Sequence, residues 1–141
     1  MMTKNSNKLI VVIGYDRSGT SYFTSLLSRL NFKLDYPVVE AGPDNSKGFF
    51  ESKELVDLNT RILGKSYVAD VPSAAHDIDI DLATSGFKKE ARRFVANVSK
   101  RKQVVLKDPR LIHTIRFWRP IFEEYFEEVR EYIIFRSPFD T

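Results

Sequence analysis

The chain has 141 residues, 43% of them hydrophobic and 13% aromatic, enough for one domain with a real core. Its 22 basic and 19 acidic residues leave a net charge of +3, without the strong asymmetry of a dedicated nucleic-acid binder. Cysteine is absent, which excludes a disulfide framework and thiolate chemistry, and the two histidines, His76 and His113, share no metal-ligand spacing.

The first residues, Met1 to Lys8, are polar. The apolar run Leu9-Ile10-Val11-Val12-Ile13 has five residues, too short for a signal segment or a membrane span, so the chain reads as soluble and cytoplasmic. The same run is β-branched and unbroken, the pattern of a buried central strand over Lys8–Ile13. A helix is predicted over Ser18–Leu30, where Tyr22, Phe23, Leu26, Leu27 and Leu30 recur at helical spacing. Residues 31–35 end that helix and begin a short strand. Tyr36 to Gly48 is a loop rich in Pro, Gly, Asp and Asn, long enough to suggest a functional role. Glu51 to Leu63 reads as a second helix, with Leu55, Leu58 and Ile62 on its apolar stripe and Gly64 as its stop.

Ser66 to Ser85 is the least readable part. Tyr67-Val68-Ala69 suggests a brief strand, and the alternation through Asp77, Asp79 and Asp81 suggests an edge strand or a solvated loop. From Gly86 a helix is predicted, with Phe87, Ala91, Phe94, Val95 and Val98 on one face. Gln103–Lys107 is a second buried strand, broken by Asp108-Pro109. A helical stretch follows from Arg110, and Pro120 is expected to kink or divide it. Trp118 belongs to its core face, and Glu123, Glu124, Glu127 and Glu128 read as a solvated helix face. Val129 to Phe135 is a third strand. Strands alternating with helices predict an α/β fold: a three-layer, P-loop-like parallel sheet flanked by helices, in a single domain over residues 1–141.

Between the first strand and helix lies Gly14-Tyr15-Asp16-Arg17-Ser18-Gly19-Thr20-Ser21. A glycine-bearing loop there aims backbone N–H groups and the positive end of the helix dipole at one point, a place for an anion. Gly14, Gly19 and Ser21 match the phosphate-loop spacing G-x-x-x-x-G-K-[ST], but Thr20 stands where the lysine belongs. That lysine reaches the β- and γ-phosphates, so its replacement argues against ATP or GTP hydrolysis. Arg17 supplies another cation, able to fork onto phosphate oxygens. In parallel sheets, ligands sit outside the carboxyl ends of the strands, and Arg17, Lys107, Asp108 and Arg136 all fall at or just after such ends. Plainer alternatives are a helix cap at Ser18 or Thr20, a surface pairing of Asp108 with Lys107 or Arg110, and a strand-terminal surface arginine at Arg136.

Arg17-Ser18-Gly19-Thr20-Ser21 resembles the 5′-phosphosulfate loop of sulfotransferases, whose donor is 3′-phosphoadenosine 5′-phosphosulfate (PAPS). Lys47-Gly48-Phe49-Phe50-Glu51, Lys107-Asp108-Pro109-Arg110-Leu111 and Phe135-Arg136-Ser137-Pro138 resemble the bacterial-type branch of that family, in its order. The resemblance implies transfer of a sulfuryl group from PAPS to a hydroxyl or amine, leaving adenosine 3′,5′-bisphosphate. It implies that Arg17, Ser18, Gly19, Thr20 and Ser21 hold the 5′-phosphosulfate and that Arg136 holds the 3′-phosphate. It further implies that Lys107 stabilises the transferring group and that a glutamate, Glu51 ahead of Glu40, is the general base. No metal site is expected. The acceptor implied is a small molecule or carbohydrate, with no nucleic-acid or membrane partner. In the family a serine shares the 3′-phosphate with the arginine, and its position falls past Thr141, so the domain reads as C-terminally incomplete. Two other readings stay open: a nucleotide kinase or NTPase with a degenerate loop, and a non-catalytic nucleotide-binding fragment of the same fold.

Overall fold

The computed structural model describes residues 6–15, 18–43, 48–64, 84 and 86–137. Its elements are β1 (Lys8–Ile13), α1 (Thr20–Arg29), β2 (Lys33–Leu34), α2 (Lys53–Leu63), α3 (Lys88–Val98), β3 (Gln103–Lys107), α4 (Leu111–Tyr125) and β4 (Glu128–Ile133). The strands form one sheet in the order β2-β3-β1-β4, parallel throughout. The expected α/β class is therefore observed. The expected strands at 67–69 and 77–81 lie outside the described residues.

β1 is central because it is apolar on both faces. Leu9, Val11 and Ile13 point to one side, into a core shared with Leu55, Leu58 and Ile62 of α2, Phe94 of α3 and Trp118 and Phe122 of α4. Ile10 and Val12 point to the other, against Leu27 of α1, Leu34 and Val105. Helices thus cover both faces of the sheet. Trp118 is fully buried, stacked on Phe122 with ring centroids 5.6 Å apart and met edge-on by Phe94 at 5.9 Å. No helix among the described residues is long and apolar enough to cross a membrane.

Two expected boundaries differ for physical reasons. Pro120 sits inside an unbroken α4. Its missing N–H would have bonded the carbonyl of Arg116, and both residues are exposed, so the lost bond falls on the solvent side of the helix. The acidic run is not one helix face either: α4 ends at Tyr125 and Glu128 opens β4.

Asn7 clasps the amino end of the sheet. Its Nδ2 donates to the carbonyls of Ser99 and Tyr125, and its Oδ1 accepts from the Glu127 amide at 2.8 Å. The ends of α3 and α4 are thereby tied to the start of β1, and the carboxyl edge is left for the loops.

Candidate functional site

The loop after β1 leaves no room for a side chain at its first position. A Cβ added to Gly14 would lie 2.6 Å from the Ile134 carbonyl oxygen, 2.6 Å from Thr20 Cγ2 and 2.8 Å from Ser18 Oγ. Gly14→Ala is therefore expected to cost about 1–3 kcal/mol and to shift the start of α1. Urea denaturation measures the first effect, and an unchanged midpoint would mean that the loop yields freely. Gly19, at the N-cap, has φ 97°, a left-handed conformation that favours glycine, and no side chain caps the helix. The positive end of the α1 dipole thus remains available to an outside anion.

The Ser18 hydroxyl is already engaged and the Thr20 side chain is buried. Ser18 Oγ donates to the Tyr15 carbonyl at 2.6 Å. The Thr20 side chain is buried beneath Gly14, with 3% of its surface exposed. What Ser18, Gly19 and Thr20 can offer a ligand is therefore main chain. Arg17 and Lys47 lie outside the described residues.

Lys107 ends β3 and turns inward. Its ammonium donates to Glu51 Oε1 at 2.7 Å, to Ser21 Oγ at 3.2 Å and to the Phe49 carbonyl at 3.2 Å. Those three partners use its three donors. The pair is deeply buried, with 3% of the lysine side chain and 8% of the glutamate side chain exposed. Burial pushes the Glu51 carboxyl above the ordinary glutamate range, and the Lys107 charge and hydrogen bond only partly oppose it. The segment presenting Glu51 is bent to do so: Gly48 has φ 98° and Phe50 φ 58°. A left-handed phenylalanine costs about 1–2 kcal/mol, offset here by packing of its ring on the α1-side core. Glu51 does not cap α2. Ser52 does, accepting from the Leu55 amide while donating to Asp35 Oδ2 at 2.7 Å.

Three expected site residues, Ser21, Glu51 and Lys107, are therefore brought into one cluster beside the start of α1. Glu40 is not among them: its side chain is 89% exposed and pairs with Lys53 at 3.7 Å. Arg136 stands exposed just past β4, on the same carboxyl edge.

Sequence reasoning missed a second buried cluster behind the first. Asp108 is wholly buried, and its Oδ1 accepts from Arg110 through the side chain at 2.9 Å and the main chain at 3.2 Å. Its Oδ2 accepts from Asn59 Nδ2 at 2.8 Å. Asn59 Oδ1 in turn accepts from Trp118 Nε1 at 2.7 Å and Thr114 Oγ1 at 2.9 Å. An asparagine amid the apolar stripe of α2 was the only available signal. The Asp108–Arg110 pairing foreseen as a surface contact exists, but its carboxylate is interior. Among the described residues no group of His, Asp and Glu gathers as a metal site. Comparison with protein-family models, with curated proteins and with solved structures finds no match for this chain.

Proposed function

We propose that this chain is a sulfotransferase domain of P-loop-like fold that moves a sulfuryl group from PAPS to a hydroxyl or amine of a small molecule or carbohydrate. The observation that supports the reading is the buried Lys107–Glu51–Ser21 cluster, set beside the uncapped amino end of α1 at the carboxyl edge of a parallel sheet. The open side of the loop is at Gly19, where a Cβ would meet nothing within 4 Å beside the uncapped first turn of α1, and that side fits a phosphate-bearing group.

When bound, the donor supplies sulfur activated on a phosphate. The first-turn amides and Arg17 would hold that end, and Arg136 the 3′-phosphate. Glu51 would take the proton of the acceptor hydroxyl as its oxygen bonds to sulfur. The sulfur–oxygen bond to the phosphate breaks, and its electron pair stays on the phosphate oxygen. Lys107 would exchange its hydrogen bond to the Phe49 carbonyl for one to that oxygen, where negative charge develops. A carboxyl raised above the ordinary range is better matched to accept a proton near neutrality.

The reading is tested by calorimetry with adenosine 3′,5′-bisphosphate and with ATP–Mg²⁺, and by transfer of labelled sulfate from PAPS to mixed acceptors. Adenosine 3′,5′-bisphosphate should bind, and Arg17→Ala should abolish that binding. Preference for ATP–Mg²⁺ would instead support the kinase or NTPase reading, which the burial of Thr20 disfavours. Binding without transfer would support a non-catalytic domain.

A further inference from the structure

The outer edge of β4 has a definite hydrogen-bonding parity. The Glu128 amide donates to the Asn7 carbonyl at 3.2 Å and the Ile134 amide to the Ile13 carbonyl at 2.8 Å. Even-numbered peptide groups therefore face β1. The odd-numbered groups at 129, 131, 133 and 135 point the other way, where none of the described strands lies. Strands of parallel sheets are ordinarily covered. Here Ile133 and Phe135 are 70% and 85% exposed. Beside them a groove of about 330 Å³ opens between β4 and α4, lined by Ile112, Ile115, Ile133 and Phe135.

We propose that this edge pairs antiparallel with the same edge of a second copy of the chain, about a two-fold axis at Tyr132. Charge selects both the occupant and the register. In a two-fold antiparallel pair, opposed residues share a face, and like charges opposite one another are destabilising. A centre at Val129 sets Glu127 against Glu131 of the other copy. Centres at Arg130 and Glu131 set those residues against themselves, and a centre at Ile133 sets Arg130 against Arg136. The centre at Tyr132 alone among these escapes repulsion. It places Glu128 opposite Arg136 twice, Val129 opposite Phe135 and Arg130 opposite Ile134. The Glu128 carboxylate is already oriented on that face by Arg130 and Lys8. The odd-numbered groups then form about eight ladder hydrogen bonds, and two four-stranded sheets become one.

A single strand pair buries little area, so association is in the weak class, with a dissociation constant on the order of 10 μM. Sedimentation equilibrium of the full chain tests it. The wild type should be a dimer at about 200 μM. Ile133→Pro removes an outward N–H and no bond to β1, so it should give a monomer with an unchanged circular dichroism spectrum. Glu128→Arg should also be monomeric, and Glu128→Arg combined with Arg136→Glu should restore the dimer. A wild-type monomer at that concentration, or a dimer indifferent to Ile133→Pro, overturns the proposal.

Discussion

Lys107→Ala is expected to destabilise the protein by about 3–5 kcal/mol at neutral pH, because it leaves the Glu51 carboxylate buried without its cation. Removing both charges should cost far less: Lys107→Met with Glu51→Leu is expected within about 1 kcal/mol of wild type. The loss in Lys107→Ala also depends on pH, and the sign follows from linkage. Glu51 already titrates above its ordinary value of 4.5 in the folded protein, since burial disfavours its charge. Without Lys107 it moves higher still. Between the unfolded and folded values the native state binds the extra proton, so stability falls as pH rises through that window. The deficit should therefore shrink as the solution is acidified toward the ordinary glutamate range. Urea midpoints of both variants, measured from roughly pH 5 to pH 8, check this. A deficit that does not change with pH would mean that Glu51 is not the group left stranded.

Asn59→Ala should be of similar size. It strands one oxygen of Asp108 and the Trp118 indole N–H, both fully buried, while the Thr114 hydroxyl keeps the Arg110 carbonyl at 3.3 Å as an acceptor. At about 1–2 kcal/mol for each of the two stranded groups the loss is about 2–4 kcal/mol, or roughly 7–15 °C in Tm. Thr60→Ala, one residue along the same helix but on its exposed face, should cost less than about 0.5 kcal/mol. Thermal unfolding of the two variants decides. Equal midpoints would mean that the Asn59 network does not hold α2 and α4 to the end of β3.

The contrast between these residues shows what the sequence could disclose. β1 and β3 were readable to the residue, because a strand buried on both faces is written as a continuous apolar run. α2 was misplaced at its start by two residues, since Ser52 supplies the cap and Glu51 is drawn away to Lys107. The glycine loop was legible because its spacing is local. The Lys107–Glu51 pair spans 56 positions, and only the packing of β3 against the 48–51 segment joins its members. Asn59 looked like one polar residue in an apolar stripe, because its three partners come from α4 and from Asp108, the residue after β3. On paper Glu51 stood only slightly ahead of Glu40. Burial separates them, and burial is a property of the folded chain.

The position of β1 also constrains how the molecule is made. Its neighbours on either side begin at Gln103 and Glu128, so β1, the earliest of the described strands, lacks both sheet partners until about ninety further residues have been made. Through that interval Leu9-Ile10-Val11-Val12-Ile13 is a sticky, uncharged, strand-forming stretch open to wrong partners. A nascent-chain holdase should therefore raise the yield of this protein more than a slower rate of translation does.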